Sequence, residues 1–284
     1  MPPKLGIIAG GGDLPAAVIG YCQTTGRPFF VVGLKDQADA ETLEGTPHEW
    51  IRLGAAGKVI KTLRRERVDE IVLAGGVRRP SLAALRPDLW TAAFFAKTGA
   101  QKLGDDGLLK ALIGVLEGDE GFTVVGADDL VPRMVAREGA YGTVEPSDTD
   151  RTDIATAFSA AKDLGRRDLG QAAIARDGQV LGLETKAGTD DLLARVASLE
   201  IDGRGGVLVK ALKPGQERRV DLPAIGPDTV DRAAAAGLAG IAVEAGNALV
   251  LDEAETIRRA DAKGLFVVGM QLDTLGEGES WGRR

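Results

Sequence analysis

Leu5-Gly6-Ile7-Ile8-Ala9-Gly10-Gly11-Gly12-Asp13-Leu14-Pro15-Ala16-Ala17-Val18-Ile19 stands at the head of the chain, and its reading decides the fold. A short apolar run ends on three glycines, and an alanine-rich apolar stretch follows, so the pattern is strand, glycine turn and helix start. In that geometry free backbone N–H groups and the positive end of a helix face an anion. The match to G-x-G-x-x-G is incomplete, because Pro15 occupies the third glycine position; a phosphate cradle and a plain tight turn both stay open. Phe29 to Leu34 reads as the second strand and is followed by acidic, loop-rich sequence to Glu49. A helix is expected over Ala56 to Glu66, with basic residues in its last turn, and Val68 to Ala74 forms another buried strand. That strand runs into Gly75-Gly76-Val77-Arg78-Arg79-Pro80. Strand alternating with helix implies a parallel, Rossmann-like sheet, whose ligands sit outside the carboxyl ends of the strands. The loops at Gly10–Asp13 and Gly75–Arg79 are therefore expected to line one cleft.

The remaining length and composition bound what such a protein can do. A chain of 284 residues suggests two α/β domains of about 100 to 150 residues each. A net charge of −7 argues against a general nucleic-acid binder, which needs a broad basic face. One cysteine excludes an internal disulfide framework and fits a cytoplasmic location. No secretory leader is expected, since Met1-Pro2-Pro3-Lys4 leads straight into a strand, and no apolar run approaches the roughly 20 residues of a spanning helix. His48 is the single histidine, so a nitrogen- and sulfur-rich zinc site cannot be built; a metal here would be magnesium on oxygen ligands.

Further along, Leu82 to Phe95 concentrates Trp90, Phe94 and Phe95 at the spacing of one helix face, which serves core or dimer packing or a groove for an apolar ligand. Gly104-Asp105-Asp106-Gly107 precedes an apolar helical stripe from Leu108 to Leu116; its aspartates are candidate caps, magnesium ligands or water-orienting groups. Phe122 to Val125 is one more strand, and Asp128 to Val135 a short amphipathic element. At Glu138 to Asp153 the composition turns glycine-containing and acidic. The first, Rossmann-like domain is accordingly placed at residues 1–136, a short linker at 137–153, and a dissimilar second α/β domain at 154–284.

In the second domain a helix is expected near Ile154 to Leu164, and the strands Gln171–Arg176 and Gln179–Glu184 bracket the hairpin dipeptide Asp177-Gly178. Glu184 then leads through Thr189, a candidate cap, into an apolar helix. A buried strand at Gly206 to Lys210 precedes the segment Arg218 to Thr229, which two prolines and a glycine keep out of regular structure. Asp228 lies where that segment meets an alanine-rich helix at Val230 to Ala236, a position from which it could cap the helix or hold a metal. Short strands at Gly240–Gly246 and Ala248–Leu251, a helix at Glu253–Lys263 and a strand at Leu265–Val268 close the domain. The tail from Gly276 is expected to be loosely ordered.

Taken together, GIIAGGGDLP, GGVRRP, LGDDGLL, GLETKAGTDDLLARV, VLVKALKPGQERRVDLPAIGPDTV and GLAGIAVEAG, in that order over nearly the whole chain, resemble the LpxI-type UDP-2,3-diacylglucosamine pyrophosphatases of lipid A biosynthesis. The resemblance implies a magnesium-dependent, homodimeric hydrolase that cuts the UDP-sugar pyrophosphate into UMP and 2,3-diacylglucosamine 1-phosphate, with water directed at the sugar-side phosphorus. It places Asp228, in the GPDT motif, as a catalytic and metal-binding carboxylate. Leu183 to Asp190 fall on the pattern VEAxEGTD, but with Thr185-Lys186-Ala187 in its middle, and Ala224 stands where threonine is expected. Glu184 and Asp105 join Asp228 as catalytic candidates, and Asp106 as a metal ligand. Gly10, Gly11, Gly12, Asp13, Gly75, Gly76, Lys102, Thr189, Lys210 and Thr229 are the substrate-binding candidates. An amphipathic substrate also implies transient contact with the inner membrane. Two rival readings are a Rossmann-type oxidoreductase, from the glycine turn and Asp36, and a non-catalytic UDP-sugar-binding module.

Overall fold

The computed structural model describes residues 2–78, 81–199 and 201–271, and it divides into two units. The first comprises Met1–Pro132 together with Glu217–Asp221, and the second Arg133–Gln216 with Leu222–Arg284. The tail from Gly276 lies outside the described residues, as do Arg79 and Pro80 of the second glycine motif.

The first unit runs β1 (Leu5–Ala9), α1 (Leu14–Thr25), β2 (Phe29–Leu34), α2 (Ala40–Leu43), β3 (His48–Ile51), α3 (Ala56–Arg65), β4 (Glu70–Ala74), α4 (Leu82–Leu85), α5 (Leu89–Thr98), α6 (Asp105–Gly118), β5 (Thr123–Val124) and α7 (Ala127–Leu130). Its sheet has the order β3-β2-β1-β4-β5 with every pairing parallel. Strands covered on both faces carry apolar residues at nearly every position, as β1 and β2 do. The acidic stretch expected as loop to Glu49 contains α2 and the edge strand β3; an edge strand with polar His48 and Glu49 lacks the continuous apolar run that identified its neighbours. Trp90, Phe94 and Phe95 do lie on one helix, α5, which Pro87 and a left-handed Arg86 (φ 46°) separate from α4 and which the Asp88 carboxylate caps by accepting from Thr91 N–H at 2.8 Å.

The second unit runs β6 (Gly139–Ala140), α8 (Asp148–Arg166), β7 (Ala172–Arg176), β8 (Gln179–Leu183), α9 (Thr189–Ala197), β9 (Val207–Lys210), β10 (Ala224–Ile225), α10 (Pro227–Ala235), β11 (Gly240–Glu244), β12 (Leu249–Val250), α11 (Glu253–Lys263) and β13 (Phe266–Met270). Six strands form a mixed sheet in the order β6-β13-β11-β9-β7-β8; β13, β11 and β9 are parallel, and the strands outside them are antiparallel. β10 and β12 pair separately. Alternation sorts the side chains to two faces. Ile174, Leu208, Ile241 and Val243 pack with Leu192, Leu193 and Val230 of α9 and α10, while Ala175, Val207, Val209 and Ala242 pack with Ile154, Ala157 and Phe158 of α8. Asp177 (φ 52°) and Gly178 (φ 74°) both take the left-handed conformation that the β7–β8 hairpin requires.

Two boundaries differ from the sequence reading. The stretch 137–153 belongs to the second unit: Gly139 and Ala140 pair with β13, and Ser147 caps α8 by accepting from Asp150 N–H. Glu217–Asp221, by contrast, belongs to the first unit, where Val220 packs on its core and Arg219 pairs with Glu117 at 2.7 Å. Segment 218–229 is also more regular than expected, since it contains β10 and the first turn of α10.

In the first sheet the strand order reverses between β1 and β4, and there the two glycine loops meet. Gly11 N–H donates to Gly76 O at 2.8 Å and Gly76 N–H returns a bond to Gly11 O at 2.9 Å. A Cβ on Gly10 would collide with the Gly76 carbonyl, and one on Gly75, itself at φ 91°, would stand 2.5 Å from Gly11 O. Gly75→Ala is therefore expected to cost about 2–3 kcal/mol of stability through strain and overlap, read as a lowered urea midpoint with an unchanged slope.

Candidate functional site

Of the residues expected in the first unit, Gly10, Gly11, Gly75 and Gly76 are brought together by that bridge at the switch point, where a doubly wound sheet offers its ligand crevice. The N–H groups of Gly10 and Gly11 are occupied by Ala74 O and Gly76 O, so these two glycines shape the turn and do not cradle an anion with those groups. Gly12 (φ 85°) and Asp13, at the N-cap position of α1, continue the turn. Lys102 is an exposed residue in the short 3-10 turn Ala100–Lys102. Asp105 and Asp106 are not caps, since Gly104 holds the N-cap position and both lie in the first turn of α6. Asp106 accepts from Lys110 Nζ at 2.7 Å and from Glu217 N–H at 3.2 Å, so it anchors Glu217–Asp221. Beside it the Arg219 guanidinium holds the Glu217 carboxyl below its usual range. The aromatic segment is packing: Trp90 stacks on buried Phe94 at 5.7 Å, and its indole N–H donates to Glu120 at 2.7 Å.

The second unit gathers the other candidates at one end of its sheet. β9 and β11 finish side by side at Lys210 and Val243, Ala172 of β7 stands opposite Lys210, and Leu183 of β8 opposite Ala173. Glu184, Lys210 and Glu244 thus share the edge where the parallel strands end. Lys210 is buried and donates through Nζ to Ala224 O at 2.8 Å, which fixes the entry to β10 and α10. Glu184 is buried too; Oε2 accepts from Gln171 N–H at 2.6 Å and Oε1 from the Thr189 hydroxyl at 2.7 Å. Thr189 is the first residue of α9 and caps nothing, as Gly188 holds the N-cap position. Thr229 accepts from Gly226 N–H at 3.3 Å. Gly226, not Asp228, is the N-cap of α10, and Asp228 lies in its first turn with a side chain 75% exposed.

Two groups escaped the sequence reading. The Glu244 carboxylate accepts from Lys162 Nζ (3.1 and 3.3 Å), Leu212 N–H (3.0 Å) and Asn247 Nδ2 (2.8 Å). A charged residue in the otherwise apolar run GIAVEAG was its one visible signal, and nothing in the sequence pairs it with Lys162. Arg259 is the other: it reaches Asp228 at 3.4 Å and Asp231 at 2.5 Å. A cavity of about 460 Å³ beyond the end of β13, lined by Glu138, Glu145, Arg151, Met270 and Gln271 among others, contains none of the expected site residues.

Magnesium keeps several waters and is held by one or two carboxylates with substrate phosphates. No group of three or more histidine, cysteine, aspartate or glutamate side chains able to hold a metal occurs among the described residues. Asp228 still fits that sparse mode, being exposed with only Arg259 as donor to its carboxylate among the described residues. Asp106 fits less well, because both its oxygens already accept from protein donors.

A doubly wound parallel sheet followed by a mixed-sheet unit, each with loops gathered at the carboxyl ends of its parallel strands, defines a two-unit α/β protein equipped to bind a ligand. Residues 4–134 match the LpxI N-terminal domain and residues 137–268 the LpxI C-terminal domain, so the chain belongs to the LpxI family. It is 43% identical over 274 residues, 94% of this chain and 97% of the relative, to the UDP-2,3-diacylglucosamine pyrophosphatase LpxI of Caulobacter vibrioides. No helix among the described residues is long and apolar enough to cross a membrane.

The contrast between Glu184 and Asp228 is testable. Glu184→Ala leaves the Gln171 N–H and the Thr189 hydroxyl without an acceptor and is expected to cost about 2–4 kcal/mol in urea denaturation. Glu184→Gln keeps an oxygen for Gln171 and offers an N–H to the reversed Thr189 hydroxyl, so it is expected to cost under about 1 kcal/mol. Loss of turnover in that stable variant would assign Glu184 a chemical role; full turnover would leave it a structural one.

Proposed function

We propose that the chain hydrolyses the pyrophosphate of UDP-2,3-diacylglucosamine to UMP and 2,3-diacylglucosamine 1-phosphate in lipid A biosynthesis. The observation that carries this reading is the identity to the Caulobacter enzyme across 94% of the chain, with both family domains present in order. In the reaction, water oxygen bonds to the sugar-side phosphorus while the bond from that phosphorus to the bridging oxygen breaks. The bridging oxygen leaves on UMP, and the proton lost by water passes to a base or to solvent. Such a step needs neutralised phosphate oxygens and an oriented water.

Asp228 is the proposed working carboxylate. Its place in the first turn of α10, beside Arg259, supports the reading, because that turn also presents backbone N–H groups to an anion. Magnesium held by Asp228 would neutralise charge on the pyrophosphate. Lys210 keeps the entry to β10 in place through its bond to Ala224 O, and Glu184 does the same for the start of α9. A homodimer working in transient contact with the inner membrane completes the proposal.

Release of UMP from UDP-2,3-diacylglucosamine, with magnesium and with EDTA, tests it. Wild-type release is expected to depend on magnesium and to fall at least about 100-fold in Asp228→Asn. In ¹⁸O-labelled water the label is expected in the lipid phosphate and not in UMP. A well-folded wild type that binds the substrate without releasing UMP would make the chain a binding module.

A further inference from the structure

Arg259 is placed on α11 where its guanidinium meets the first turns of α10. Nε donates to Glu255 Oε1 at 2.8 Å, one turn back on its own helix, and Nη1 donates to Asp231 Oδ2 at 2.5 Å on α10. Two charge-assisted bonds to two different helices fix the plane of the guanidinium. Those carboxylates push its pKa further above its ordinary value, and Arg258 and Arg259 together pull the Glu255 carboxyl down to about 2. The same Nη1 stands 3.4 Å from Asp228 Oδ1, and among the described residues no other donor reaches that carboxylate. An aspartate 75% exposed would otherwise sample several rotamers.

We infer that Arg259 is the positioning residue of Asp228: it tethers Oδ1, leaves Oδ2 without a donor among the described residues, and limits through its own charge how strongly the carboxylate draws a divalent cation. The inference rests on the reading of Asp228 as the working carboxylate. It separates two effects that ordinary structural damage would join. Removing the guanidinium takes away a competing positive charge, so cation binding strengthens; it also frees the rotamer, so turnover falls. A merely structural arginine would weaken both.

The test uses the metal-stripped full-length protein, titrated with Mn²⁺ and followed by electron paramagnetic resonance of the free ion, beside steady-state UMP release in saturating magnesium. Arg259→Gln is expected to bind Mn²⁺ about five-fold tighter and to turn over about five-fold more slowly, the scale of one exposed charge pair. Arg259→Lys keeps the charge and loses the fork, so turnover falls while Mn²⁺ affinity stays. Arg258→Gln, whose side chain bonds only Glu255 among the described residues, changes neither. Both effects of Arg259→Gln are expected to vanish when Asp228→Asn is already present. Unchanged Mn²⁺ affinity in Arg259→Gln overturns the inference, as does tightening that survives in the double variant, which would place the ion on Asp231 and Glu255. Wild-type binding and turnover in Asp228→Asn alone would instead overturn the reading of Asp228.

Discussion

A carboxylate buried at the end of a strand is tolerated only when donors surround it, and in the second unit Glu244 satisfies that condition by drawing on several elements at once. Lys162 comes from α8, the Leu212 N–H from the turn after β9, and the Asn247 amide from the turn after β11. The bonds therefore fix the chain as it leaves two neighbouring parallel strands, and they tie both exits to the helix that covers the opposite face of the sheet. Lys210 ends one of those strands and reaches Ala224 O, so the entry to α10 follows from the same frame. Breaking one partner of such a buried set costs more than the pair contributes, because the charge left behind has no solvent.

The first unit reaches the same end by the opposite chemistry. At the switch point between β1 and β4 two glycine loops close on each other through a pair of backbone bonds. Side chains are excluded there by contact: the carbonyls of Gly76 and Gly11 occupy the places where Cβ atoms would go. One unit thus holds its loops by removing side chains, and the other by burying charged ones.

This difference explains what could be read from the sequence. Glycine clusters after apolar runs, and the Asp177-Gly178 turn, are local signals, so the parallel sheet and the β7–β8 hairpin were legible. β3 was not, because an edge strand with polar residues shows neither alternation nor a continuous apolar run. For the site, residue types near Asp228, Glu184 and Lys210 were legible, but their partners were not. The sequence offered Glu184 as a catalytic candidate, and only the fold shows Gln171 and Thr189 as its donors. Lys162 and Glu244 are separated by 82 positions, and Arg259 and Asp228 by 31, distances over which no local pattern speaks.

Glu217–Asp221 belongs to the first unit, although the chain on either side of it belongs to the second. Between Lys210 and Asp228 the regular structure is Ala224 and Ile225 of β10 and Pro227, the first residue of α10, and both ends of that stretch carry candidate site residues. Its middle is fastened within the first unit by Arg219 to Glu117, by Glu217 N–H to Asp106 and by Val220 in the core. Asp106, whose sequence context suggested a metal ligand, instead directs its charge at the Glu217 backbone N–H and at Lys110, and so orders this segment within the first unit.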